Sequence, residues 1–149
     1  EEAKKRYMKY FEEGCLYRVK PYPGITETLD ALKKHGAKLA VLSNKPHSNT
    51  TRVIKKVFAS GMFDLVEGQS ELFPRKPDPA GALFLAEKLG VSPEECLYIG
   101  DTGTDMKTGK AAGMYTVGVL WGFRGREELL RDGADQVIAE AGELVDIYL

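Results

Sequence analysis

A hydroxyl and an amide at Ser43-Asn44, an ammonium at Lys76 and two carboxylates at Asp101 and Asp105 are the side chains of this 149-residue sequence best suited to joint chemistry. Ser43-Asn44 and the block from Asp101 to Asp105 directly follow apolar runs, the place where open α/β sheets present residues to ligands, and Lys76 lies in the stretch between them. Together they form a vocabulary for phosphate and a divalent cation. Mg²⁺ takes hard oxygen ligands and usually keeps only one or two protein carboxylates. Ser43 and the backbone N–H groups after it, at the start of a helix, can donate to phosphoryl oxygens. Lys76, in the proline-stiffened stretch Arg75-Lys76-Pro77-Asp78-Pro79, is a point charge suited to neutralising phosphate. Asp101 at a strand tip can reach a metal, and Asp105, one helical turn on, can hold Lys76 or support the metal indirectly.

Plainer readings stand beside these. Ser43-Asn44 could merely cap the helix that begins near Pro46, and a lysine before proline is commonly a solvated loop residue. A calcium loop is excluded because Met106 stands where that loop requires glycine. Gly100-Asp101-Thr102-Gly103 lacks the third glycine of a dinucleotide fingerprint, and no GxxxxGK[ST] phosphate loop occurs.

The elements that must position these groups alternate. The pattern predicts a helix over Ile25–His35 stopped by Gly36, a strand Lys38–Leu42 ended by Ser43-Asn44-Lys45, and a helix from Pro46 carrying Val53, Ile54, Val57 and Phe58. A weaker strand, Phe63–Val66, precedes a loop through Pro74, Pro77 and Pro79. A helix Ala80–Leu89 stopped by Gly90, a turn from Ser92-Pro93, a strand Cys96–Ile99, a helix Met106–Ala112 stopped by Gly113 and a strand Tyr115–Leu120 follow. A helix near Arg126–Arg131, a strand Gln136–Ile138 and a helix Glu143–Tyr148 complete the pattern. Strands rich in Val, Ile and Leu alternating with helices imply an α/β class: a Rossmann-like parallel sheet with helices on both faces.

Composition narrows the partners. The 21 Lys+Arg and 22 Asp+Glu give a formal net charge of -1, without the electrostatic footprint of a nucleic-acid or anionic-membrane binder. No apolar run approaches the roughly 20 residues of a spanning helix, and the charged start Glu1-Glu2-Ala3-Lys4-Lys5-Arg6 does not resemble a signal peptide. Cys15 and Cys96 form neither a disulfide framework nor a metal-ligand pattern. A cytoplasmic location is the expectation. Tyr7, Met8, Tyr10 and Phe11 fall at helical spacing in an opening helix, Ala3–Glu13, that has no capping residue before it. His35 is expected to complement a helix dipole, and His47 to face solvent, although it lies next to the phosphate-binding block. Trp121 could line an entrance or pack in the core.

The order strand–Ser43-Asn44, then Lys76-Pro77-Asp78-Pro79, then Ile99-Gly100-Asp101 with Asp105, resembles motifs two, three and four of the haloacid dehalogenase-like hydrolases. Pro21-Tyr22-Pro23-Gly24, Val41-Leu42-Ser43-Asn44-Lys45 and Leu120-Trp121-Gly122-Phe123-Arg124 resemble the phosphoglycolate phosphatase branch. The resemblance implies a Mg²⁺-dependent phosphate monoesterase that works on a small phosphorylated substrate through an aspartyl-phosphate. By position, Ser43 and Asn44 would bind phosphoryl oxygens and Lys76 would bind the nucleophile and the phosphoryl group. Asp101 would ligate Mg²⁺, and Asp105 would position Lys76 or bound water. The family's first motif, DxDx[TV], holds the nucleophile, and no Asp-x-Asp occurs in these 149 residues. The resemblance therefore implies a core, residues 17–149, that lacks its first, central strand, between the strands ending at Ser43 and Asp101. Residues 1–16 would be the last helix of an α-helical cap. On this reading the segment is inactive without the N-terminal strand and cap segment. A catalytically silent phosphate- or metal-binding module is the alternative.

Overall fold

The structure, a computed structural model, describes residues 20–149. The opening helix, Cys15 and the proposed cap segment 1–16 lie outside the described residues. Gly24, at φ 79°, leads into α1 (Ile25–Lys34), whose Leu32 is buried. β1 (Ala40–Pro46), α2 (His47–Val57) and β2 (Leu65–Gln69) form a first βαβ unit. A loop then leads to α3 (Ala80–Leu89) and a 3₁₀ turn, Pro93–Glu95, capped by Ser92. β3 (Leu97–Gly100), α4 (Gly103–Ala111), β4 (Tyr115–Val119), α5 (Arg126–Arg131), β5 (Gln136–Ile138) and α6 (Glu143–Tyr148) continue the alternation.

Every strand pair is parallel, as the alternating pattern requires. β1 pairs with β2, Val41 opposite Val66, and β4 pairs with β3 on one side and β5 on the other. Among the described residues β1 and β3 do not pair, so the strands form a two-stranded and a three-stranded sheet. This is the position at which the family resemblance implies a further strand. Ile99, in the middle of β3, is 41% exposed.

Two apolar clusters knit these units together. Leu32, Val117, Val119, Ile138 and Leu144 form one, with the partly buried Leu39 and Trp121 packed against them. Ala82, Ala86, Ala112 and Met114 form the other and meet Leu42 before the Ser43 block and Tyr98 in β3. The small residues of α3 let the helix approach both sheets: a Cβ on Gly81 would lie 3.0 Å from the Leu42 side chain. The Cys96 thiol packs against the same cluster. Burial, then the charges of Glu95 and Glu94, push its ionisation up, as suits a small core hydrophobe rather than a reactive thiolate.

Element boundaries differ from the sequence pattern in three informative places. β1 runs on past Leu42, because Pro46 still pairs with Gln69 across an irregularity, so Ser43-Asn44-Lys45 sit on extended backbone and α2 starts one residue after Pro46. β2 starts two residues later than Phe63. Asp64 instead ties itself to Leu39, its N–H donating to the Leu39 carbonyl and its carboxylate accepting from the Leu39 N–H at 2.8 Å. Phe63 packs edge-on against Phe58. α4 begins three residues before Met106, because Thr102 caps it.

Asp135 joins three elements ahead of β5. Its carboxylate accepts the Thr116 N–H at 2.8 Å and pairs with the Lys110 ammonium at the end of α4. The Lys110 hydrogen bond, then the Thr116 N–H, hold the carboxyl below its ordinary 3.8. A carboxyl whose folded value is lowered adds stability above the unfolded value and loses it as pH falls through the folded value. Asp135→Ala should therefore cost about 1–2 kcal/mol at neutral pH. In urea unfolding curves the difference from the parent should start to close near the unfolded value of 3.8 and shrink further below it.

Candidate active site

The loop from Phe73 to Pro79 is seated on the end of β1 by one side chain. The Asn44 amide donates to the Lys76 carbonyl at 3.2 Å, and its oxygen accepts the Lys76 N–H at 2.9 Å. This two-bond ring fixes the backbone of Lys76 across 32 residues of sequence. The far side of the loop is closed by Asp78, whose N–H donates to the Arg75 carbonyl and whose carboxylate accepts the Ala80 N–H at the start of α3. The Lys76–Pro77 peptide bond is cis.

So anchored, Lys76 sends its side chain across to the other sheet. Its ammonium donates to Asp105 Oδ1 at 2.7 Å and to the Leu42 carbonyl at 3.4 Å. The two side chains are only 13% and 11% exposed, so this ion pair is not a surface contact. Asp105 has its own support. Its Oδ2 accepts the Thr102 hydroxyl at 2.9 Å and the N–H groups of Thr102 and Asp101, both at 3.3 Å, while its N–H donates to Thr102 Oγ1. That is a capping box, and T-x-x-D ahead of Met106 spells it out in the sequence. It is the signal that the sequence reading of this region passed over. Gly100 leaves room for Asp105, since a Cβ there would lie 2.2 Å from that of Asp105. Tyr98 packs behind it, its phenol pushed upward by burial and then by the Asp105 charge.

Ser43 lines one pocket with Asn44, Lys76, Gln69, Arg75 and Asp78. Its Oγ accepts the Lys45 N–H at 3.1 Å, which leaves the hydroxyl proton free to be donated. Asp101 is half-buried, and its backbone is bonded to Asp105. Its Oδ2 accepts the Phe123 N–H at 3.3 Å. His47 Nδ1 accepts the Gly68 N–H at 3.1 Å beside Glu67, with the ring 43% exposed. Ser43, Asn44 and Lys76 thus meet in one pocket and Asp105 joins them through Lys76. Asp101 touches this group only by its backbone N–H to Asp105, its carboxylate being turned to the Phe123 N–H. Among the described residues no cluster of three His, Cys, Asp or Glu side chains could cage a metal. Asp105 Oδ1 is already bound by the lysine, while Asp101 Oδ1 has no hydrogen-bond partner among the described residues. A single hard carboxylate donor of this kind suits Mg²⁺, which keeps several waters, and does not fit zinc.

The family model for haloacid dehalogenase-like hydrolases matches residues 1–119. The chain belongs to this family. It is 41% identical over 123 residues to a phosphoglycolate phosphatase of Aquifex aeolicus, which covers 83% of this chain and 58% of that protein. A phosphoglycolate phosphatase of Haemophilus influenzae is 31% identical over 142 residues, or 95% of this chain and 63% of that one. A predicted phosphoglycolate phosphatase of Haemophilus somnus, solved as a crystal structure, superposes with a TM-score of 0.89 at 27% identity, over 98% of this chain and 65% of that one. The chain thus spans less than two thirds of the length of these haloacid dehalogenase-like relatives.

The two partners of the Lys76–Asp105 pair are unequal. Removing the acid strands an ammonium whose remaining partner is the distant Leu42 carbonyl. Removing the ammonium leaves a carboxylate with three donors. Asp105→Ala should cost about 3 kcal/mol, in line with breaking a buried pair from one side. Lys76→Met should cost only about 1 kcal/mol. Chemical unfolding of both variants checks the order, and a lysine variant as costly as the aspartate variant would contradict it.

Proposed function

We propose that this chain is the phosphate-seating and charge-balancing part of a Mg²⁺-dependent phosphate monoesterase acting on a small phosphorylated substrate, with phosphoglycolate first among the candidates. The observation that carries this reading is the Lys76 ammonium. It is held by Asp105 at 2.7 Å and lines the pocket that Ser43 shares. The named relatives support the choice of substrate class.

In this reading the Ser43 hydroxyl and the backbone beyond it donate to phosphoryl oxygens, and Lys76 balances their charge. Asn44, whose amide is committed to the Lys76 backbone, acts by holding the lysine in place and not through its side chain on the phosphate. Asp105 fixes the direction of the ammonium, and Asp101 offers the carboxylate for Mg²⁺. Bound there, the cation supplies charge stabilisation for the transferring phosphoryl group. The acceptor of that group is an aspartate of an Asp-x-Asp motif, which these 149 residues do not contain, so the chain by itself is inactive. A strand carrying it would sit between β1 and β3, which do not pair with each other among the described residues. Among the described residues no helix is long and apolar enough to cross a membrane.

Phosphate release from 2-phosphoglycolate and an aryl phosphate, with Mg²⁺ and with EDTA, tests this. The 149-residue chain should give background rates, and the longest reading frame that contains it should give metal-dependent release. In that longer protein Ser43→Ala should lower kcat/KM by about 10²-fold and Lys76→Met by about 10³-fold. The absence of Asp-x-Asp also favours a second reading, a silent phosphate- or metal-binding module. A longer protein that binds inorganic phosphate or Mg²⁺ without turning over either ester would select that one.

A further inference from the structure

The loop after β4 presses directly on Asp101. Gly122 does not owe its identity to a left-handed backbone, since its φ is not among the positive ones. It owes it to space. A Cβ at Gly122 would lie 2.1 Å from Asp101 Oδ2, 2.3 Å from its Cβ and 2.6 Å from its Cγ, closer than real contacts allow. The Asp101 side chain lies against the bare backbone, and the next N–H, that of Phe123, donates to its Oδ2 at 3.3 Å. Oδ1 has no hydrogen-bond partner among the described residues. The loop is itself held from behind, because Trp121 packs into the core cluster of Val117, Val119 and Ile138. Three residues further on, at Gly125, a Cβ would meet nothing within 4 Å. The close approach is therefore local to Gly122 and is not a general crowding of the loop.

We propose that Gly122 and the Phe123 amide are positioning residues that hold the Asp101 carboxylate in one orientation, one oxygen bound and the other free for a divalent cation. This inference rests on the reading of Asp101 as the Mg²⁺ ligand. Partners that orient a ligating carboxylate typically contribute about 10–100-fold to metal affinity. A methyl group at Gly122 forces the carboxylate off its seat. Proline at Phe123 removes the N–H and sets its ring Cδ where that hydrogen pointed, so Oδ2 loses its donor and is crowded from the same side.

The test is Mg²⁺ titration by calorimetry of the full-length protein and its Gly122→Ala, Phe123→Pro and Gly125→Ala variants. Circular dichroism and unfolding in EDTA establish that each is folded. The expected result is a Mg²⁺ dissociation constant raised about 10-fold or more in Gly122→Ala, with a smaller rise in Phe123→Pro and none in Gly125→Ala. Inorganic phosphate affinity, set by Ser43 and Lys76, should stay within about 2-fold of the parent. In steady-state kinetics the half-saturating Mg²⁺ concentration should rise in Gly122→Ala, with kcat largely recovered at saturating metal. If Gly122→Ala does not fold, Phe123→Pro against Gly125→Ala decides. Parental Mg²⁺ affinity in a folded Gly122→Ala or Phe123→Pro protein overturns the proposal and leaves the reading of Asp101 intact. A parent that does not bind Mg²⁺ overturns both. Equal losses of metal and phosphate affinity show a general distortion and also overturn it.

Discussion

One ion pair reconciles the two halves of this molecule. β1 and β2 make one sheet and β3, β4 and β5 another, and no backbone ladder joins them among the described residues. Apolar packing around Leu42, Tyr98 and the small residues of α3 brings them together, but such packing has no direction. The Lys76–Asp105 bond does have direction. It starts from a loop clamped to β1 and ends on the first turn of the helix after β3. A nearly buried charge without its partner is costly, so the two sheets are held in the relative placement that keeps this pair together. The same requirement brings the ammonium to the Ser43 pocket.

Asp105 shows how several demands fall on one side chain. It closes the cap of α4, receives the Asp101 N–H, neutralises Lys76 and adds its charge to the burial that makes the Tyr98 phenol harder to ionise. Gly100 exists as glycine to admit it. The chemistry proposed for the site thus depends on a residue whose more immediate work is structural.

Much of this was legible in the sequence, and the reasons for success and failure are physical. Gly36, Gly90 and Gly113 all take the positive φ that ends a helix, because that conformation strongly favours glycine. The parallel α/β class follows from Val- and Leu-rich runs alternating with helical periodicity, and of the polar groups singled out in the sequence Ser43, Asn44 and Lys76 line one pocket. Periodicity could not show that β1 continues through Ser43-Asn44-Lys45, because that extension depends on pairing with Gln69, a tertiary contact. Nor could it show that the Asn44 side chain faces the Lys76 backbone, since both residues suit a phosphate site on chemical grounds alone. Trp121, open to two readings by type, is settled by the cluster it joins. Thr102 was within reach of the capping pattern. The contact between Gly122 and Asp101 spans 21 residues and leaves no local trace.

The Asn44 clamp touches only main-chain atoms of Lys76. The neighbouring side chains, Arg75 and Asp78, face the pocket without taking part in that grip. Substitution at Arg75 therefore alters the charge of the pocket lining while the lysine stays where it is. The grip on the lysine is thus indifferent to the identity of its neighbours: their side chains can change in size and sign without loosening either bond of the clamp.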